Sequence, residues 1–177
     1  IKEFDMTSKR FAICILLALM AASLAQTTDA GWTTYKSNDG KFSVVFPIQP
    51  EESSSVDKSV TLHTYKVLQR PRIYIVIYSD YPDADLALDT ATRIKAERDG
   101  FVKGLTNATV IAERQFSFKR GNSELPALEF TSETATVTYK SLIILDGRRV
   151  YFVCAGSIKG NDSAAQFERF LGSFALN

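Results

Sequence analysis

The side chains that could carry out chemistry are few in this chain, and they lie far apart in the sequence. The 177 residues include one histidine, His63, and two cysteines, Cys14 and Cys154. A zinc site needs three or four histidine, cysteine or carboxylate ligands, and neither cysteine lies near His63. Any Ser-His-Asp relay would also have to use His63. We therefore expect no metal and no cofactor, and we expect His63 to be a surface or hydrogen-bonded residue of a strand.

Aspartates follow one another closely at one place, at Asp80, Asp83, Asp85 and Asp89. Calcium binds clusters of carboxylate oxygens, but the glycine and the bidentate glutamate of an EF-hand loop are missing here. Acids at the start of a helix are also explained by capping and by the helix dipole. We therefore predict that Asp83 or Asp85 caps a helix, and Asp80, Asp83 and Asp85 stand as the candidate metal cluster.

Two serine segments and one cysteine resemble catalytic motifs only in part. In Gly156-Ser157-Ile158-Lys159-Gly160 the serine directly follows the first glycine, which is not the Gly-x-Ser-x-Gly spacing of a nucleophile elbow. Ser55-Val56-Asp57-Lys58 has Ser-x-x-Lys spacing but lies in a polar segment without the companion motifs. Cys154 lies in an apolar run, where burial raises a thiol pKa and lowers its reactivity. No catalytic residue is predicted.

Aromatic residues are numerous for a chain of this size. A face rich in tyrosine can bind a partner, because tyrosine combines apolar area with a hydroxyl group. The same residues can instead form the core and its rim, which we take as the expected role. The residues concerned are Trp32, Tyr35, Tyr65, Tyr74, Tyr78, Tyr81, Tyr139 and Tyr151.

Most of the chain reads as short strands with two-residue alternation, separated by turns. Asp39-Gly40 and Asp146-Gly147 each lie between alternating apolar runs, which is a strong hairpin signal. The polar, serine-rich stretch from Glu51 to Lys58 is predicted to be a loop. The predicted strands cover residues 32–36, 41–46, 59–68, 72–78, 109–118, 127–131, 136–145 and 148–155.

Two segments have helical spacing. The first carries an apolar stripe that includes Ile94 and Phe101, with Arg93 and Glu97 predicted on its exposed side. The second carries Phe167, Phe170, Leu171 and Phe174 on one stripe. Strands that run together with one internal and one terminal helix indicate an α+β fold. We predict a mainly antiparallel sheet of about six to eight strands between two principal helices.

The beginning of the chain has the layout of a secretory signal peptide. Lys9 and Arg10 precede an apolar run that ends in small residues. We predict cleavage between Ala25 and Gln26, with Ala30 as the alternative site, so that residues 6–25 form the signal peptide and residues 26–177 form a single domain. Residues 1–5 are predicted to be upstream or vector-derived. Export to the periplasm is the first expectation, with secretion or the thylakoid lumen as alternatives.

Composition limits the partners of the exported domain. The formal net charge of the chain is +1, and it contains no basic run, which argues against nucleic acid and anionic lipid as main partners. The apolar run at the start is shorter than a membrane-spanning helix needs. We expect a monomer without a transmembrane segment in the mature chain.

The first predicted hairpin resembles the opening strands of exported bacterial proteins related to the PsbP family, with Trp32-x-x-Tyr35-x-Ser37-x-Asp39-Gly40-x-Phe42-Ser43-Val44-x-Phe46-Pro47. The end of the chain adds Gly121, Glu129-Phe130, Asp146-Gly147-Arg148, Tyr151, Phe167, Phe170 and Ser173-Phe174. After Pro47 the chain continues with Ile48-Gln49-Pro50, where photosynthetic members often have a tryptophan.

PsbP proteins are extrinsic, lumen-side subunits of photosystem II, and a nuclear Ran-binding protein shares their fold; both act by docking on a larger partner. The resemblance thus implies an αβα sandwich and an accessory role, and it identifies no metal or docking residue.

Three functional hypotheses follow. The first is an exported, non-catalytic accessory or binding protein that docks to a larger envelope or membrane-associated protein. The second is a carrier with a small-ligand pocket between sheet and helix. The third is a small hydrolase or isomerase in which His63 works with Asp80, Asp83 or Asp85.

Overall fold

A computed structural model describes residues 31–57, 60–161 and 163–177. These residues form ten strands and two α-helices. The helices are α1 (Thr90–Gly104) and α2 (Ala164–Gly172), and a short 3-10 helix (Asp83–Ala87) precedes α1. The strands are β1 (Thr33–Ser37), β2 (Phe42–Phe46), β3 (Glu51–Asp57), β4 (Val60–Gln69), β5 (Arg72–Asp80), β6 (Thr109–Arg120), β7 (Ser123–Glu133), β8 (Val137–Asp146), β9 (Arg149–Ile158) and β10 (Ala175–Leu176).

The strands form two antiparallel sheets. A seven-stranded sheet has the order β3-β4-β5-β9-β8-β7-β6, and a three-stranded sheet has the order β1-β2-β10. Helix α1 covers one face of the large sheet, while α2 and the small sheet cover the other. The predicted α+β sandwich is confirmed, and the seven strands of the large sheet lie within the expected six to eight; the small sheet is additional.

Alternation along the central strands divides the core into two buried clusters. In β5, Ile73, Ile75 and Ile77 face the α1 side, whereas Tyr74 and Val76 face the α2 side. Successive side chains of a strand point to opposite faces, so a strand that is apolar throughout needs a cover on both sides. This pattern explains why one helix lies on each face.

The two Asp-Gly turns form as predicted. Gly147 has a positive φ of 60°, a conformation that side chains with a Cβ rarely adopt, and it joins β8 to β9. The turn between β1 and β2 is held against the large sheet by side chains of β9. Arg149 Nη1 donates to the carbonyl oxygen of Asp39 at 2.8 Å, and the Tyr151 hydroxyl donates to that of Gly40 at 2.9 Å.

Two local predictions are wrong. The polar stretch from Glu51 is a strand, β3, which pairs with β4 from Glu51 opposite Lys66 to Asp57 opposite Val60. As an edge strand with exposed side chains, β3 needs no apolar alternation. Helix α1 is capped by Asp89, whose Oδ1 accepts from the Thr92 amide at 2.9 Å, because the residues around Asp83 form the separate 3-10 helix.

No helix among the described residues is both long enough and apolar enough to cross a membrane.

Candidate functional site

The acidic residues proposed as a metal cluster do not form one, because Asp80 and Asp83 pair with different arginines. Asp80 receives two hydrogen bonds from the Arg149 guanidinium, Nε to Oδ1 at 2.8 Å and Nη2 to Oδ2 at 2.9 Å. These bonds hold the pKa of Asp80 below its usual value. Asp83 pairs with Arg148 instead, and Asp85 is buried. Across the ranges that the structure describes, no group of three or more His, Cys, Asp or Glu side chains could hold a metal ion.

His63 lies flat against an aromatic ring at the strand surface. Its ring centroid is 4.5 Å from that of Tyr78, with 10° between the two planes. The Arg149 guanidinium also lies over the Tyr78 ring, 4.6 Å from its centroid. The His63 Nδ1 atom is 3.1 Å from the Ser54 hydroxyl. The imidazole is thus held by a hydroxyl and a ring, as expected for a hydrogen-bonded strand residue, and the contacts of Asp80 go to Arg149.

Cys154 is buried within the cluster beneath α1. Removal from water raises its pKa to about 12. The thiol therefore stays protonated at neutral pH and cannot act as a nucleophile without exposure.

Three residues form a buried polar group, and sequence reasoning placed two of them wrongly. Arg93 and Glu97 were predicted on the exposed side of α1, but they are only 9% and 4% exposed. The Tyr81 hydroxyl donates to Glu97 Oε1 at 2.7 Å, and the Arg93 guanidinium lies 4.5 Å from the Tyr81 ring centroid. Arg93 Nη2 also donates to the Gly147 carbonyl oxygen at 2.7 Å. The group fastens α1 to the β8–β9 turn.

A sequence signal for this group exists. Arg93, Glu97 and Phe101 are separated by four residues each, so they share one face of the helix. Since Phe101 had to be buried, the two charged residues in line with it had to lie near the core as well. Burial also raises the pKa of the Tyr81 hydroxyl, and the neighbouring Glu97 carboxylate reinforces the shift.

The tyrosines serve mainly as core. Tyr65, Tyr74, Tyr78 and Tyr151 are buried in the cluster on the α2 side. Tyr35 lies at its rim, where its hydroxyl donates to Glu52 Oε1 at 2.6 Å. The predicted core-and-rim role is therefore the observed one.

An apolar pocket opens at the end of the large sheet opposite the β8–β9 turn. It lies where the β4–β5 turn, the end of β9 and the start of β8 meet, and its volume is about 160 Å³. The side chains that give it its apolar character are Leu68, Pro71, Ile73, Val137, Tyr139 and Ile158. None of the acidic residues proposed from the sequence lines it.

The floor of the apolar pocket depends on Gly156. A Cβ atom at this position would lie 2.7 Å from Tyr139 Cδ1 and 3.0 Å from Ile73 Cγ2. Tyr139 of β8 is paired with Gly156 of β9. Because Gly156 has no Cβ, the Tyr139 ring lies directly against the β9 backbone. The aromatic wall of the pocket is fixed by this contact.

A second depression, the polar depression, lies beside the start of α2 and has a volume of about 390 Å³. It shares Ser157 and Ile158 with the apolar pocket, so the end of β9 forms a ridge between the two. Ile158 on this ridge is 41% exposed. We call the apolar pocket, the ridge and the polar depression together the sheet-end cleft.

Backbone hydrogen bonds hold the ridge in place. The Ile158 amide donates to the Pro71 carbonyl oxygen at 3.1 Å, and the Lys159 amide donates to that of Thr136 at 2.9 Å. The Lys159 ammonium group pairs with Glu133 at 2.7 Å and lowers the pKa of that carboxyl. The sheet-end cleft is therefore formed by ordered strand ends.

Cationic side chains border the apolar pocket. Arg70 and Arg72 both line it, and Arg72 Nε donates to the Ser163 hydroxyl at 3.1 Å. Both arginines flank Pro71 in the β4–β5 turn, so an apolar opening and two positive charges lie side by side. Such a surface is suited to an apolar group that has negative charge next to it.

Comparison with known proteins identifies the fold. No family model and no curated protein matches the chain. The solution structure of cyanobacterial PsbP (CyanoP) from Synechocystis sp. PCC 6803 is similar with a TM-score of 0.56 and 15% identity, over 88% of this chain and 98% of that one. The chain therefore has a PsbP-like fold, as the sequence resemblance implied.

Two further solved structures are similar to this chain at lower TM-scores. One is from Bacteroides thetaiotaomicron, with a TM-score of 0.40 and 13% identity over 83% of this chain and 48% of that one. The other is a Pseudomonas aeruginosa protein of unknown function, with a TM-score of 0.38 and 10% identity over 73% of this chain and 85% of that one.

Proposed function

We propose that this protein is an exported, non-catalytic accessory protein that docks to a larger envelope protein through the sheet-end cleft. The observation that carries the proposal is the apolar pocket of about 160 Å³ with Arg70 and Arg72 at its rim. An apolar cavity of roughly 150 Å³ holds one benzene ring. The pocket therefore has room for one aromatic or branched aliphatic side chain of a partner.

The partner segment has a definite chemistry. A phenylalanine or leucine side chain fills the apolar pocket, and aspartate or glutamate residues next to it face Arg70 and Arg72. Burial of one such side chain contributes about 1.5–3 kcal/mol of favourable binding free energy. The arginines increase specificity and the association rate more than the affinity. The ordered ridge at Ile158 lowers the entropic cost of binding, because little of it has to be immobilised.

The titratable groups support a binding role over a catalytic one. Asp80 and Asp83 are each engaged by an arginine, and Cys154 is buried with a raised pKa. A general base or nucleophile must reach its substrate. One contact favours the hydrolase alternative, the 3.1 Å approach of the Ser54 hydroxyl to His63. Esterase activity that is lost in both Ser54→Ala and His63→Ala would establish that alternative and refute the non-catalytic role.

The carrier alternative rests on the same apolar pocket. Clefts that hold drug-sized ligands have volumes of roughly 300–1,000 Å³, whereas this pocket measures about 160 Å³. It also lies at the end of the sheet and not between sheet and helix. The size of the apolar pocket favours a single side chain over a transported ligand. The adjoining polar depression beside α2, of about 390 Å³, falls within the ligand range and is the site that a carrier would use.

Export is proposed from the leader sequence. We propose that residues 6–25 are removed between Ala25 and Gln26 and that residues 26–177 work as one domain in the periplasm, with secretion and the thylakoid lumen as the other destinations. A docking subunit in such a compartment needs no cofactor.

Site-specific photocrosslinking in the native host tests the docking surface. A photoreactive residue at position 158, on the ridge, should give one discrete adduct with an envelope protein. The same residue at position 56 is the control, since Val56 is 72% exposed on the edge strand β3, away from the sheet-end cleft. Equal adducts at both positions, or none at position 158, would contradict docking through the sheet-end cleft.

Peptide selection tests the proposed chemistry. A displayed library screened against the purified protein should enrich segments with Phe or Leu next to Asp or Glu. Arg70→Glu should abolish their binding, whereas Lys36→Glu, the same charge change on exposed β1, should leave it intact. Enrichment without acidic residues, or equal effects of both variants, would show that the arginines do not select the partner.

A further inference from the structure

Strand β6 is an open edge of the large sheet. It is the last strand in the sheet order, and within the described part of the chain no strand pairs with its outer side. It is one of the longest strands of the fold, and most of its side chains are exposed. An edge of this kind presents unpaired backbone amide and carbonyl groups, which can pair with another strand.

The sequence of β6 carries charges of both signs, unlike that of the opposite edge. Glu113 lies on the α1 side, where it pairs with Arg98. Lys119 lies on the same side, since the two residues differ by an even number of positions. The opposite edge strand, β3, carries only acidic charges, so two copies of β3 could not form opposite-charge pairs with each other.

A two-fold axis perpendicular to the sheet would bring two copies of β6 together antiparallel. Such an axis keeps the α1 side of one copy on the same side as that of the other, so opposed residues must belong to the same face. Their sequence numbers therefore differ by an even number. In the register that places Phe116 opposite Phe116 of the second copy, Glu113 lies opposite Lys119 of that copy, twice in the dimer. Arg114 then lies opposite Phe118, an arrangement that permits a cation–π contact.

Neighbouring registers are less favourable. A shift of two residues in one direction places Arg114 opposite Arg120 of the second copy, and like charges directly opposite are destabilising. The same shift in the other direction places Lys119 opposite Ile111 and removes the ion pairs. The chosen register pairs residues 112–120, so it also leaves out the β-bulge between Val110 and Ala112.

We infer that β6 pairs antiparallel with β6 of a second copy of this chain, in the register centred on Phe116, to form a continuous sheet across a two-fold dimer. The dimer replaces the monomer expected from the sequence. An interface formed by one strand edge is small, so the association is weak and depends on concentration. The β6 edge lies away from the sheet-end cleft, and the inference stands independently of the docking proposal.

Charge reversal tests the register. Sedimentation velocity of the purified protein over a concentration series at low salt should show a monomer–dimer equilibrium. Glu113→Lys and Lys119→Glu should each weaken it by roughly tenfold, because two exposed ion pairs become like-charge contacts. The Glu113→Lys/Lys119→Glu double variant should restore it, since the opposite charges face each other again. A monomer at every concentration, or a double variant no better than the single ones, would overturn the inference.

Disulfide trapping gives a second, independent readout. Opposed residues of antiparallel strands have Cα atoms roughly 4.5–5.5 Å apart, within the range that a disulfide bridges. Phe116→Cys should therefore form a covalent dimer on mild oxidation, while Ser53→Cys on the other edge strand should not. Equal trapping at both positions would indicate random collision of the chains, and the absence of trapping at position 116 would contradict the register; either result would refute the symmetric dimer.

Discussion

The contact between Gly156 and Tyr139 can be tested by adding a single methyl group. In Gly156→Ala, the new Cβ would lie 2.7 Å from Tyr139 Cδ1 and 2.8 Å from Cε1, so the ring has to move. Overpacking of this kind destabilises the fold by about 1–3 kcal/mol. Alanine also lowers the conformational entropy of the unfolded chain, which stabilises the fold by about 0.4–1 kcal/mol. We therefore expect Gly156→Ala to lower the free energy of unfolding by about 1–2 kcal/mol.

A double-mutant cycle isolates the cause. Tyr139→Ala removes both ring atoms that the new methyl group would meet and leaves the 3.0 Å contact with Ile73 Cγ2. In that background Gly156→Ala should therefore cost much less than in the wild type. The coupling free energy between the two changes should be about 1–2 kcal/mol. Urea denaturation of the four proteins gives this value directly, provided that the m value, the slope of the unfolding free energy against urea concentration, is the same for all four within error.

A second glycine provides the control. A Cβ at Gly172, in the last turn of α2, would meet no atom within 4 Å, so Gly172→Ala should be neutral or stabilising by up to about 1 kcal/mol. If Gly156→Ala were as harmless as this control, or cost the same with and without the Tyr139 ring, the described packing of the pocket floor would be refuted. Loss of peptide binding in Gly156→Ala at unchanged fold would connect the ring position to docking.

Three further outcomes are expected. The depressed pKa of Asp80 stabilises the fold above its unfolded pKa of about 3.9, and this contribution is lost as the pH falls through the folded pKa. The stability difference between the wild type and Arg149→Met should therefore shrink below about pH 4 in acid titrations followed by circular dichroism; a constant difference would contradict the ion pair. Cys154 should resist a thiol reagent at pH 8 in the native protein and react fully in urea, and rapid native labelling would contradict its burial. Intact-mass analysis of protein exported by the host should give a chain that begins at Gln26, whereas a retained leader would refute the predicted cleavage.

Features that depend on neighbouring residues could be predicted from the sequence. Phe167, Phe170 and Leu171 repeat at helical spacing, and all three are buried under α2. The Asp146-Gly147 turn joins two strands that are apolar on alternate faces, so the pattern specifies a hairpin. In each case a local preference and the tertiary structure agree.

Features that depend on the place of a segment in the sheet could not be predicted in the same way. Strand β3 contains three consecutive serines, and only its position at an edge lets them remain exposed in a strand. Glu97 was assigned to the solvent because it was placed on the side of the helix opposite the apolar stripe. Its partner, Tyr81, lies in the segment between β5 and α1.

The apolar pocket is the clearest case of a non-local feature. Leu68, Val137 and Gly156 come from three different strands and are brought together by register alone. Of the two arginines at its rim, Arg70 lies in the β4–β5 turn and Arg72 begins β5, and the sequence around them resembles many surface turns. Charge, hydropathy and motif spacing therefore contain no signal for a cleft at this position.

The small sheet joins the two ends of the described chain. Strand β2 lies between β1, which precedes it, and β10, the last strand, with Ala175 opposite Ser43. The amide of Asn177 also donates to the Lys41 carbonyl oxygen at 2.9 Å. The small sheet therefore cannot be complete until residues 175–177 reach β2. Its closure is a contact between segments far apart in the sequence, and contacts of this kind form slowly in folding.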